Sequence, residues 1–73
     1  MYEFHYFNTD SEAVEPETIK ALPYTNDLEA FIALDYEQEY LNQSHSVYSV
    51  LLIKDGQNMA DKFLAWASGE DVG

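Results

Sequence analysis

The sequence predicts an α+β fold, a small sheet of two or more strands packed against two helices. Two runs rich in aromatic or β-branched side chains, residues 2–7 and 46–54, have the composition of strands. Two apolar stripes at helical spacing, within residues 26–42 and 58–68, stand behind polar capping residues. The 73 residues give room for one small acidic domain, residues 1–73, with fraying expected over residues 69–73.

In the first run Tyr2, Phe4 and Tyr6 fall on one face, and Glu3, His5 and Phe7 on the other. Asn8-Thr9-Asp10-Ser11 is turn chemistry, because short polar side chains satisfy backbone groups locally. Glu17 to Leu22 suits a turn or two of helix after Pro16, a residue favoured at a first helical position. Asn26 followed by Glu29 has the spacing of a capping box, in which the Asn side chain accepts from the third backbone amide and Glu29 reaches back. Leu28, Phe31 and Ile32 then form an apolar stripe, but Asp35 and Glu39 land on the face of Leu28 and Ile32. Either this helix breaks near Asp35, or its core face rotates toward Ala30, Phe31, Leu34 and Leu41.

The apolar run Val50 to Ile53 is four residues long, short enough for a buried strand. Asp55-Gly56 marks a turn, Asn58 can cap the second helix, and Asp61 complements that helix's N-terminal dipole. Met59, Phe63, Trp66 and Ala67 form its apolar stripe, and Gly69 closes it.

Charge narrows the function. Fourteen acids against three lysines give a formal net charge of -11, which excludes direct binding to nucleic acid and disfavours anionic membranes. Eleven aromatic residues, six Tyr, four Phe and one Trp, argue against a disordered acidic tail. A domain this short has a thin core, and with no cysteine it has neither a disulfide nor a zinc-thiolate site to brace it. Neither a signal peptide nor a bilayer-spanning run is visible, so a cytoplasmic protein is expected.

No catalytic constellation emerges, and an enzyme is not expected. His5 lies in a strand and His45 between Ser44 and Ser46, whose side chains are poorly placed to donate to it. Asp35-x-Glu37-x-Glu39 and Asn8-x-Asp10-x-Glu12 open like calcium loops. Both lack the glycine at the sixth position, where Tyr40 and Ala13 stand, and the glutamate at the twelfth, where Ser46 and Ile19 stand. No metal and no cofactor is expected.

The acids are concentrated in the first 39 residues, which hold ten acids and one lysine. Glu12, Glu15 and Glu17 follow one another closely, Asp27 and Glu29 open the first helix, and Asp35, Glu37 and Glu39 alternate with Tyr36, Gln38 and Tyr40. Carboxylates spaced by a helix turn or by two strand residues are separated by roughly 5–7 Å, comparable to successive phosphates of a nucleic-acid strand. Such a row can occupy the basic groove of a nucleic-acid-binding protein, with Tyr36 and Tyr40 as aromatic anchors. Glu37→Lys with Glu39→Lys is then expected to abolish binding and leave thermal stability intact or improved.

In length, acidity, tyrosine content and lack of cysteine the chain resembles the small phage-encoded inhibitors that mimic nucleic acid, of the anti-CRISPR, anti-restriction and uracil-DNA glycosylase inhibitor types. That resemblance implies stoichiometric inhibition of a host or effector protein inside a bacterium. Separately, residues 47–70 resemble a strand-turn-helix near the C-terminus of periplasmic solute-binding proteins, through Lys54-Asp55-Gly56 and Ala60, Lys62, Phe63, Leu64 and Trp66. It covers none of their ligand-binding residues and brings no function. Two rival readings are a structural or assembly homodimer, joined through the apolar sheet and the Met59, Phe63 and Trp66 face, and an antitoxin or adaptor neutralising one basic partner without imitating DNA.

Overall fold

The computed structural model describes residues 1–69. Along the chain run β1 (Tyr2–Asn8), β2 (Thr18–Ala21), α1 (Asp27–Gln43), β3 (Tyr48–Lys54), β4 (Gln57–Asn58) and α2 (Ala60–Ala67). The strands form one antiparallel sheet of order β2-β1-β3-β4. The expected α+β architecture is therefore present.

β1 and β3 pair over seven residues each, with Phe4 opposite Leu52 and Tyr6 opposite Val50. Because side chains alternate across a sheet, these residues and Tyr2 share one face, and there they meet Ala30, Phe31 and Leu34 of α1 and Phe63 of α2. Phe31 ties the helices together, its ring centroid 5.9 Å from Phe63 and 5.7 Å from Trp66. The opposite face of the sheet carries Glu3, His5 and Phe7 beside Leu51 and Ile53.

The conflict within the first helix resolves by rotation. α1 runs unbroken, burying Ala30, Phe31 and Leu34, whereas Leu28 and Ile32 share the exposed flank with Asp35 and Glu39. Asn26 caps it as expected, accepting from the Glu29 amide at 2.9 Å, but Glu29 answers the Asn26 side-chain amide instead of its backbone. At its other end His45 adopts φ 53°, its amide donating to the Asn42 carbonyl and the Ser46 amide to the Leu41 carbonyl. That left-handed closure is usually given to glycine, and it accounts for His45 as a helix-terminating residue.

Five expectations need correction. Residues Glu17 to Leu22 form an edge strand instead of a helix. β1 presents its backbone along that stretch, so the Glu17 amide donates to Tyr6 at 2.8 Å and the Leu22 amide to Tyr2 at 2.9 Å, a non-local pairing that outweighs the weak local helix preference. β3 begins at Tyr48, because Ser46 is still engaged in closing α1. Asn58 belongs to β4 and helps α2 from outside, accepting from the Ala60 amide at 2.8 Å, while Ala67 is exposed instead of joining the apolar stripe. Gly69 closes α2 as expected, at φ 77° with its amide donating to the Trp66 carbonyl, so it does not belong to the expected frayed tail; residues 70–73 lie outside the described residues.

Asp55 and Gly56, at φ 49° and 83°, are the two central residues of the β3–β4 turn, both in the positive-φ region that a tight hairpin demands. Met59 and Phe63 are buried in the protomer's own core. Of the helix residues expected at a homodimer face, Met59 and Phe63 are thus already packed within one chain, and Trp66 is half-buried.

Candidate functional site

The register of the sheet sorts the charges by end. At the end where α1 begins, Lys54 donates to Asp27 at 3.1 Å and lies 5.3 Å above the Tyr2 ring. The N-terminal ammonium pairs with Asp55, and Lys62 is close enough to Asp27 to favour its ionised form. Three of the chain's four positive groups are therefore at this end, and Lys20 on β2 is the fourth.

Asp27 is fixed there by Tyr2 and Lys54. The Tyr2 hydroxyl donates to its carboxylate, and this bond, with the Lys54 ammonium behind it, holds the carboxyl below its ordinary range against the opposing effect of burial. The same contacts raise the Tyr2 phenol and the Lys54 ammonium. A carboxyl depressed in the folded protein stabilises it above the unfolded value near 4, and the benefit is lost as pH falls through the lower folded value. Asp27→Asn is accordingly expected to cost about 1 kcal/mol at pH 7, a charged hydrogen bond discounted for partial exposure. Urea melts should show the gap between the two proteins closing toward pH 2.

The other end holds acids without cations among the described residues. β1 ends there, β2 and β3 begin there, and α1 terminates there. Glu12 and Glu15 stand exposed in the loop of residues 9–17, and Glu17 accepts from the Tyr48 hydroxyl at 3.3 Å. Glu39 lies in the last two turns of α1, whose final turn holds no basic residue. The unpaired carbonyls of a helix C-terminus act as roughly half a negative charge, so the helix adds to the field of these carboxylates.

Glu37 is turned away from Asp35 and Glu39, toward the sheet, where it accepts from the Tyr6 hydroxyl at 2.9 Å. Burial first, and this bond second, push the Tyr6 phenol well above its ordinary value. Glu37→Lys would strip that phenol of its acceptor, so the expectation of unimpaired stability for the Glu37 and Glu39 pair is corrected: Glu39 is the position that tolerates reversal.

Tyr36 and Tyr40, 74% and 66% exposed, line a groove of about 610 Å³ between α1 and β2. Its floor is Phe4 and Leu22, its helix wall includes Ile32, and Glu29, Glu37 and Lys20 stand along it. Sequence reasoning missed Lys20, Leu22 and Ile32, because β2 was not recognised as a strand facing the helix. The alternating spacing of Asp35, Glu37 and Glu39 does not survive as one row: Asp35 and Glu39 share the outer flank, Glu37 faces the groove, and Asp27 and Glu29 lie at the far end of α1.

Among the described residues no group of three His, Cys, Asp or Glu is placed to hold a metal ion, and no helix is long and apolar enough to cross a membrane. No protein-family model, no curated protein and no solved structure matches the chain.

Proposed function

We propose that this protein binds and inhibits a basic, nucleic-acid-binding protein stoichiometrically, by occluding or imitating its nucleic-acid contact. The observation that supports this reading is the separation of charge. Lys54, Lys62 and the N-terminus neutralise acids at one end, whereas among the described residues Glu12, Glu15, Glu17 and Glu39 stand without a cation at the other, reinforced by the α1 C-terminus. Clustering like charge destabilises a fold through self-repulsion, so its retention on one end favours a partner of opposite sign.

Asp35 adds to the acidic flank of α1, and Tyr36 and Tyr40 supply exposed aromatic area beside it. The partner supplies lysines and arginines that otherwise contact phosphates, and the complex excludes nucleic acid by competition. Affinity capture from a bacterial lysate at low salt, followed by elution with rising salt and mass spectrometry, tests this. Nucleic-acid-binding proteins released by salt are the expected catch; partners that resist salt, or that lack nucleic-acid binding, contradict it.

A further inference from the structure

We infer that the groove between α1 and β2 receives an extended peptide segment of the partner, which adds to the sheet as a fifth strand and carries two basic residues four positions apart. β2 is the edge of the sheet, and all four of its residues are exposed. The Leu22 amide donates to Tyr2, and Lys20 is paired opposite Phe4, so the even-numbered residues direct their backbone toward β1. In an antiparallel ladder the residues between them point outward. The N–H and C=O groups of Ile19 and Ala21 thus face away from β1, and among the described residues no strand pairs with them. A chain edge of this kind is a template for strand addition.

The groove beside that edge specifies the occupant. On its helix side an incoming strand meets Tyr36, Tyr40 and Ile32 above Leu22, an apolar surface suited to one aliphatic side chain. Glu29 and Glu37 flank this surface, and Lys20 lines its β2 side, so the groove holds two carboxylates against one ammonium. The two glutamates are eight residues apart on α1, about 12 Å at 1.5 Å per residue. Residues four apart on one face of a strand are separated by about 13 Å. The two carboxylates therefore match a strand whose groove-facing residues read basic, apolar, basic. Glu29 and Glu37 each already accept one hydrogen bond, from Asn26 and from Tyr6, and an ionised carboxylate has further acceptor capacity. A second copy of this chain fits poorly, since each copy brings a net charge of -11.

This deepens the reading of a basic partner by naming how it is gripped, and the backbone of β2 separates the two ideas. The probe is the acetylated, amidated heptapeptide Thr-Lys-Thr-Leu-Thr-Lys-Thr, titrated into the full chain by heteronuclear NMR, with the same peptide bearing Glu for Lys as control. Exchange of the Ile19 and Ala21 amides is expected to slow at least about tenfold on binding. The control peptide is expected to leave both amides unchanged. Ala21→Pro removes one outward N–H while sparing the β1 ladder, and Tyr36→Ala trims the groove at an exposed position; each should weaken the peptide about tenfold or more.

Absence of binding at about 1 mM overturns the inference. So does binding that shifts only residues 9–17 and the end of α1 while Ile19 and Ala21 stay unprotected, an outcome that leaves the acidic-end reading intact. Protection of those amides that rises with protein concentration and needs no peptide would assign the edge to a second copy instead.

Discussion

Phe31→Ala removes about 3–5 kcal/mol of folding stability, the range for truncating a large buried aromatic. A domain of this length holds roughly 4–11 kcal/mol in all, at about 0.05–0.15 kcal/mol per residue, so this one change consumes much of it. The size follows from position. Phe31 is 3% exposed and contacts both Phe63 and Trp66, so its ring joins α1 to α2. Since α2 spans only eight residues and its N-cap residue, Met59, offers no side-chain bond, the second helix depends on that packing. Trp66 is the chain's one tryptophan, and its emission should shift to the red at a lower urea concentration in the variant. Tyr36→Ala, at an exposed position on the same helix, should change stability by no more than about 0.5 kcal/mol. Equal losses from the two substitutions would mean that the aromatic cluster is not the centre of the fold.

Reversing the acidic end with Glu12→Lys, Glu15→Lys and Glu39→Lys has the largest expected effect on binding. Like charges brought together across an interface cost several kcal/mol. Three reversals should therefore weaken the partner by roughly a thousandfold or more, at about 1.4 kcal/mol per decade. Stability should hold or rise, because all three side chains are exposed and a lysine near the α1 C-terminus complements the helix dipole. Glu37 is left in place since Tyr6 relies on it, and Asp27 since Tyr2 and Lys54 do. Reversal at exposed positions near the opposite end, such as Asp61→Lys, should leave binding nearly unchanged.

Much of the fold was legible because burial writes a period into the chain. Tyr2, Phe4 and Tyr6 alternate as a half-buried strand should, and the Asn26–Glu29 spacing marks the start of α1. β2 was hidden for a physical reason: an edge strand with all four residues exposed leaves no apolar alternation, and its hydrogen bonds are made with residues far away in sequence. The rotation of α1 was left open because only packing against the sheet decides between Leu28 and Leu34 as the buried leucine. Within the site, the acids themselves could be read, but not their pairing. The contacts Tyr2–Asp27, Tyr6–Glu37 and Lys54–Asp27 span more than twenty residues, and they divide carboxylates with structural partners from those left facing solvent.

Fluorescence anisotropy of a labelled duplex bound to the captured partner tests the acidic end most directly. At low salt the wild-type chain should displace the duplex one for one, and its hold should weaken steeply as salt rises from about 0.1 M to 0.3 M, where screening shortens the reach of charge. The Glu12, Glu15 and Glu39 reversal should displace nothing. A ternary complex of partner, duplex and this protein, or equal displacement by the reversed variant, would contradict the account.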